Sequence, residues 1–222
     1  MLKKLRLLFF LLPVVVLVSC ASAPKYQYIP KGKQVMVASW YGPKFHGRRT
    51  ASGEIFDMYR LTAAHKTLPF GTKLRVINPE NGRSVVVKIN DRGPFVRGRD
   101  IDLSYAAAKK IGLIAKGTGR VYVEFIGRDN RYIKTVKYQI KGDGPYTIQV
   151  GSFREKNNAW RLKKALSISY RNVHIIKKYI NGRTYYRVIV GKFVNLLDAE
   201  RVALRLKREG YEVILTRYEE VL

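Results

Sequence analysis

The sequence is poor in cysteine, histidine and acidic residues, and each shortage excludes a class of protein. Its 222 residues include one cysteine, three histidines and 16 acidic side chains, against 43 lysines and arginines. A single cysteine excludes an intramolecular disulfide. No histidines have the short spacing typical of a zinc site, so we expect no metal and no cofactor. The net charge of +27 predicts a strongly acidic or polyanionic environment.

Long hydrophobic runs are also missing, apart from one at the N-terminus. Three basic residues within the first six positions precede an apolar run from Leu7 to Val18. The run is too short to span a bilayer comfortably and is typical of a secretory signal, to which we assign residues 1–19. Export makes nucleic acid an improbable partner, so we expect none. The polyanions that an exported protein meets are lipid headgroups, lipopolysaccharide and the cell wall.

The end of that run resembles a bacterial lipoprotein box. It reads Leu17-Val18-Ser19-Cys20, and in such boxes the cysteine becomes the acylated N-terminus. We therefore expect lipidation at Cys20, a membrane anchor at the periplasmic face of the outer membrane, and a tether over residues 20–34. The alternative is a buried or free thiol behind an ordinary cleavage site.

An internal repeat organises the C-terminal part of the chain. The segment YTIQVGSF at 146–153 is matched by YRVIVGKF at 186–193, and the apolar positions of the following helices match at the same offset. The hairpin between the two units contains Asn181-Gly182, which suits a type I′ turn. Residues 145–222 are therefore predicted to form an α+β, ferredoxin-like βαββαβ domain, with a four-stranded antiparallel sheet and both helices on one face.

The sheet face opposite the helices is predicted to be a binding surface. Strand alternation places aromatic and hydrogen-bonding groups there, together with Thr147 and Ile189, in a mixture too polar for a core. An ordinary solvated face is the alternative. The residues expected to bind the substrate are Gln149, Ser152, Tyr185 and Arg187.

The part from 35 to 127 has the pattern of a small β-barrel. Short strands rich in valine and isoleucine alternate with turns of glycine, proline and asparagine, and one short helix is expected at 104–112. A closed all-β barrel fits this order. Residues 128–144 form either a further strand or an extended connector, and the sequence leaves both open.

Four candidate site residues lie in this barrel region. Glu54, Asp57 and His65 fall within TASGEIFDMYRLTAAHKTLPFG, and Asp91 follows in INDRGPF. Taken alone, solvated loop acids would explain the first two, a structural histidine would explain His65, and a turn-forming role would explain Asp91.

The surrounding motifs resemble those of the rare lipoprotein A family. ASWYG at 38–42, FHGRRTASGEIFD at 45–57, LTAAHKTLPFGT at 61–72 and GRDIDLSYAAAKKIG at 98–112 are similar to its double-psi β-barrel domain. The repeat-bearing part resembles a SPOR domain, a family that binds peptide-free glycan strands of peptidoglycan at division sites. One departure is Ser52, where an asparagine is common.

The resemblance implies an enzyme, an endolytic peptidoglycan lytic transglycosylase (a carbon–oxygen lyase). Such enzymes cut between N-acetylmuramic acid and N-acetylglucosamine and leave a 1,6-anhydro end, although the residues do not decide between cutting within strands and cutting from their ends. Glu54, Asp57, His65 and Asp91 fall on positions important in the family. The resemblance also implies enrichment at the division septum, with division-site proteins as candidate partners. The alternative is a non-catalytic peptidoglycan-binding protein that organises the septal wall.

The expected chemistry needs a single acid. Because the sugar's own 6-hydroxyl replaces water, the carboxyl that donates a proton can later accept one, and we assign that role to Glu54. The charge of Asp57 is expected to raise the proton affinity of Glu54, since like charges resist joint ionisation. His65 is expected to orient a carboxylate or the substrate.

Overall fold

The computed structural model describes residues 32–132 and 134–218, so the leader and Cys20 lie outside the described residues. The first unit is a β-barrel with one helix, α1, and the second is a sheet with two helices. The elements of the first are β1 (Lys33–Trp40), β2 (Thr62–His65), β3 (Thr72–Ile77), β4 (Ser84–Asp91), β5 (Ile101–Leu103), α1 (Tyr105–Lys110) and β6 (Thr118–Arg128). Those of the second are β7 (Val136–Gln139), β8 (Tyr146–Phe153), α2 (Lys156–Leu166), β9 (Val173–Ile180), β10 (Arg183–Phe193), α3 (Leu196–Glu209) and β11 (Val213–Arg217).

The barrel closes in the strand order β1-β5-β2-β4-β3-β6. The pairs β1–β5 and β2–β4 are parallel and the others are antiparallel. Alternation along β3 buries Leu74 and Val76 while Lys73 and Arg75 are exposed, as expected for a strand whose inner face fills a closed barrel. The predicted double-psi β-barrel fold is confirmed.

The short barrel helix α1 begins and ends where its flanking residues predict. The hydroxyl of Ser104 accepts a hydrogen bond from the backbone N–H of Ala107, which satisfies one of the free donors of the first turn. Gly112 follows the helix with a φ of 73°, a left-handed conformation that favours glycine.

The second unit has the predicted ferredoxin-like topology and one strand more. Its sheet order is β7-β11-β8-β10-β9, in which the four strands from β8 to β11 pair antiparallel as expected. The additional strand β7 comes from the 128–144 segment and pairs parallel with β11. The hairpin residues Asn181 and Gly182 have φ values of 48° and 74°, as a type I′ turn requires.

The repeated V-G-x-F sequence has a packing reason. A Cβ placed on Gly191 would lie 2.2 Å from the ring of Phe193, and one placed on Gly151 would lie 2.6 Å from the ring of Phe153. Each phenylalanine therefore folds back over the glycine two positions before it, where no side chain fits.

Two residues expected on the open sheet face are buried instead. Thr147 is 2% exposed because its hydroxyl turns to the backbone and donates to the carbonyl of Gly191 at 2.7 Å. Ile189 is also 2% exposed and lies beside a register shift in the pairing of β10 with β8. The exposed polar surface is therefore narrower than strand alternation alone predicts.

The barrel and the second unit are in direct contact. Arg92, which follows β4, is buried, and its Nε donates to the hydroxyl of Tyr211 at 2.8 Å. Its guanidinium lies 3.8 Å from the ring centroid of Phe70, and the backbone N–H of Phe70 donates to the carbonyl of Glu209. The buried arginine thus joins the end of a barrel strand to the end of α3.

None of the helices within 32–132 and 134–218 has the length and apolar character that crossing a bilayer requires.

Candidate active site

A short loop, residues 49–55, within the long connection between β1 and β2 presents Glu54. Arg49 and Ile55 form an isolated β-bridge at its base, and the backbone N–H of Thr50 donates to the carbonyl of Glu54 at 2.8 Å. Gly53 has a φ of 92°, which other residues rarely adopt, so the glycine of the T-A-S-G-E motif is a conformational requirement. The backbone N–H of Ser52 donates to the carbonyl of Asn90 at 3.3 Å, which attaches the loop to β4.

Three side chains donate hydrogen bonds to the Glu54 carboxylate. Lys88 Nζ lies 3.0 Å from Oε1 and Asn90 Nδ2 lies 2.7 Å from Oε2, while the Tyr132 hydroxyl donates to Oε1. Burial raises the pKa of Glu54, but the bonds from Tyr132, Asn90 and Lys88 together outweigh it and lower the pKa below its ordinary value. Glu54 is therefore ionised at neutral pH.

Asp57 lies in the same cavity as Glu54. Both line a space of about 410 Å³ together with Lys88 and Asn90, and Asp57 Oδ1 accepts from the backbone N–H of Tyr59 at 2.9 Å. The structure brings the two acids together. The expectation of a raised pKa at Glu54 is wrong, because the donors to the Glu54 carboxylate shift that pKa downward.

Asp91 has a different environment at the end of β4. Its Oδ1 accepts from the backbone N–H groups of Ala51 and Arg92, both at 2.8 Å, and the Tyr41 hydroxyl donates to Oδ2 at 3.2 Å. Burial is the largest influence and raises the pKa of Asp91, against the opposing effect of these bonds. Its carboxyl lines a second cavity of about 610 Å³, which Glu54 does not line.

His65 closes a turn after β2. Its Nδ1 accepts from the backbone N–H groups of Thr67 and Leu68 at 3.1 and 3.0 Å. Burial, with the nearby charge of Arg92, lowers the pKa of His65 to about 4, so the ring is neutral at pH 7. These bonds suit a structural role, and His65 lines neither of the two cavities.

Sequence reasoning missed the three groups that donate to the Glu54 carboxylate. Lys88 and Asn90 alternate along β4 and so share one face of that strand, a signal that could have linked them. Tyr132 comes from the undecided 128–144 segment. Its ring covers Gly71, where an added Cβ would lie 2.6 Å from Tyr132 Cδ2.

The open face of the second unit contains a separate groove. Ser152, Tyr185 and Arg187 line a space of about 460 Å³, and Gln149 is not among its lining residues. The Nε of Arg187 is buried and has no hydrogen-bond partner in the described part of the chain. Three of the four residues expected to bind the substrate on this face are thus brought together.

No group of three or more histidine, cysteine, aspartate or glutamate side chains with a metal-binding arrangement occurs among the residues that the structure describes.

Two family models match the chain, one in each unit. The model described as "Lytic transglycolase" matches residues 33–123, and the SPOR domain model matches residues 142–217.

Curated relatives match across both domains. The "Endolytic peptidoglycan transglycosylase RlpA" of Vibrio cholerae is 41% identical over 178 residues, which is 79% of this chain and 65% of the relative. The protein of the same name from Helicobacter pylori strain J99 is 36% identical over 201 residues, 82% of this chain and 62% of the relative. The chain thus spans somewhat less than two thirds of the length of these relatives.

A solved structure gives a weaker likeness. The expansin of Clavibacter michiganensis has a TM-score of 0.35 at 11% identity, covering 74% of this chain and 81% of the expansin, a level that carries no functional information. The two domain matches and the two-domain relatives show that the chain belongs to the rare lipoprotein A family.

Proposed function

We propose that the protein is a lytic transglycosylase that cuts peptidoglycan between N-acetylmuramic acid and N-acetylglucosamine and leaves 1,6-anhydro ends. The names of its relatives support this activity. The observation that carries it is the carboxyl of Asp91, which accepts the backbone N–H groups of Ala51 and Arg92 beside a cavity and whose pKa is raised by burial, whereas the pKa of Glu54 is lowered. The Asp91 cavity of about 610 Å³ has the size of a small-ligand site.

In this proposal Asp91, rather than Glu54, is the proton donor. Its Oδ1 accepts two backbone N–H groups, whereas Oδ2 faces only the longer bond from the Tyr41 hydroxyl within the described residues, so the proposal places the proton on Oδ2. Oδ2 protonates the glycosidic oxygen as the bond from that oxygen to the anomeric carbon breaks. The resulting carboxylate then takes the proton of the sugar's 6-hydroxyl while O6 bonds to the anomeric carbon. The proton returns to Asp91, and no water is consumed.

Glu54 acts through the loop that holds Asp91. Its ionised carboxylate fixes the loop to Lys88 and Asn90 on β4, and the same loop supplies the Ala51 N–H that bonds Asp91. Glu54 is therefore a positioning residue here. Asp57 is a second carboxylate of the Glu54 cavity, and a substrate contact of His65 stays a prediction.

The second unit holds the enzyme on its substrate. A SPOR domain bound to a glycan strand through Ser152, Tyr185 and Arg187 would raise the local concentration of substrate at the barrel. The protein would act in the cell envelope on septal peptidoglycan. Acylation at Cys20 and anchoring to the outer membrane complete the proposal, on the sequence of the lipoprotein box.

Digestion of purified cell-wall sacculi tests the activity. Release of anhydro-muropeptides, identified by mass, is expected from the wild type and not from Asp91→Asn. A matched control is Glu80→Gln, an exposed barrel acid paired only with Lys116 within the described residues, which should cut like the wild type. Binding to sacculi without any release would support the non-catalytic wall-binding alternative instead.

A further inference from the structure

The cavity that contains Asp91 is built by both domains. On the barrel side its wall includes the aromatic residues Tyr41, Phe45 and Phe95. The opposite side comes from the SPOR domain, at the end of β8 and along α2. The lining residues from that side are Phe153, Asn158, Arg161, Leu162 and Lys164.

Basic side chains outnumber carboxyls among the residues that line this cavity. Two carboxyls line it among the residues that the structure describes, and one of them, Asp102, is already bonded to the Ser39 hydroxyl and lies 3.7 Å from Arg99. The other carboxyl, Asp91, is held by backbone and phenol donors. Six basic side chains line the same space, and they are Lys44, Arg49, Arg92, Arg99, Arg161 and Lys164.

Of the two basic groups that the SPOR domain contributes, Arg161 is the one that suits an external anion, since on the barrel side Arg49 donates to the carbonyl of Gly53 and Arg99 lies beside Asp102. Lys44 and Lys164 lie over the rings of phenylalanines, and Arg92 is buried between the domains. The guanidinium of Arg161 bonds to Asn158, one turn away on α2, and no carboxylate lies within salt-bridge distance of it in the described ranges. Arg161 and Asp91 line the same cavity, and the charge of Arg161 opposes the rise in pKa that burial gives Asp91.

Given the proposed function, we propose that Arg161 determines substrate specificity by binding a carboxylate of the glycan next to the bond that is cut. A guanidinium binds a carboxylate through two parallel N–H···O bonds, which a lysine cannot reproduce. Muramic acid carries such a group on its lactyl ether, free in peptide-free strands and amide-linked where a stem peptide is attached. The stem peptide has carboxylates of its own. The SPOR domain would then form part of the cutting site.

The test compares two variants of α2 in the purified protein. Arg161→Gln removes the proposed ligand, and Lys163→Gln removes the same charge from a neighbouring position that does not line the cavity and lies over the ring of Trp160. The substrates are peptide-free glycan, the same glycan with its lactyl carboxyls converted to amides, and peptide-bearing glycan. The readouts are KM and kcat for anhydro-end formation.

Arg161→Gln is expected to raise KM on peptide-free glycan about tenfold or more with a smaller change in kcat, because a bond to a charged partner is lost. On the amidated glycan it should match the wild type, and Arg161→Lys should recover only part of the loss. A defect confined to peptide-bearing strands would support a stem-peptide carboxylate as the ligand.

Equal KM values for Arg161→Gln and Lys163→Gln on all three substrates would overturn the inference while leaving the activity in place. Absence of cutting by the wild type would reject the activity and the inference together.

Discussion

Glu54 lies on the loop that Asp91 contacts through Ala51, yet the surroundings of the two carboxyls shift their pKa values in opposite directions. Glu54 is half-buried and receives three side-chain donors, one of them the cation Lys88. Asp91 is buried deeper and receives two backbone N–H groups and a phenol. The donors to Glu54 stabilise its negative charge and lower its pKa. The donors to Asp91 do not outweigh burial, which raises the pKa of that carboxyl. The comparison teaches that the direction of a carboxyl's pKa shift is decided by its neighbours rather than by its position in a motif.

The largest expected effect is that of Asp91→Asn. An amide keeps the shape and accepts the backbone bonds but cannot deliver a proton, so kcat should fall by about 10²–10⁴-fold, the usual contribution of a general acid. The measurement is the initial rate of anhydro-muropeptide release. Retention of most of the rate would show that Asp91 is not the donor.

Glu54→Gln should have a smaller effect on rate and a distinct effect on stability. Since the folded-state pKa of Glu54 is lowered, its ionisation stabilises the fold above its ordinary pKa, and this stabilisation is lost as pH falls through the folded-state pKa. The wild type should therefore lose melting temperature on acidification more steeply than Glu54→Gln. At neutral pH we expect the variant to be destabilised by about 1 kcal/mol, because the pair with Lys88 is partly solvated.

A rate for Glu54→Gln as low as that for Asp91→Asn would contradict the division of roles. Glu54 would then be required for the chemistry itself and not only for the position of the loop.

Much of this arrangement could be predicted from the sequence, for local reasons. Strand alternation and turn residues predict a small closed β-barrel in the first domain, and with the repeat at an offset of forty positions they predict the ferredoxin-like fold of the second. The double-psi form of the barrel is implied by the resemblance of the motifs. The shared cavity of Glu54 and Asp57 follows from their separation of three positions on one loop.

What could not be predicted depends on contacts between distant parts of the chain. Tyr132 reaches Glu54 across 78 positions, and Arg92 reaches Tyr211 across 119. No local pattern encodes such pairs. The direction of the Glu54 pKa shift depends on Tyr132, Asn90 and Lys88 together. The motif alone predicts a raised pKa, whereas these donors lower it.

The smallest expected effects come from removing the hydroxyls of Tyr132 and Tyr41. These two variants distinguish the roles of Glu54 and Asp91 most clearly. Tyr132→Phe removes a donor to Glu54 and Tyr41→Phe removes one to Asp91, and since each bond lowers the pKa of its carboxyl, each variant should raise that pKa. In the proposed mechanism, activity requires Glu54 ionised and Asp91 protonated. Tyr132→Phe should therefore move the acid limb of the pH–rate profile to higher pH, while Tyr41→Phe should move the alkaline limb to higher pH.

The two variants are matched controls for each other, because both lose one hydroxyl and keep the ring. The measurement is the rate of anhydro-end formation across the pH range, with changes of a fewfold expected near each limb and little change at the optimum. If both variants moved the same limb, one carboxyl would control both protonation steps, and the contrast between Glu54 and Asp91 would be wrong.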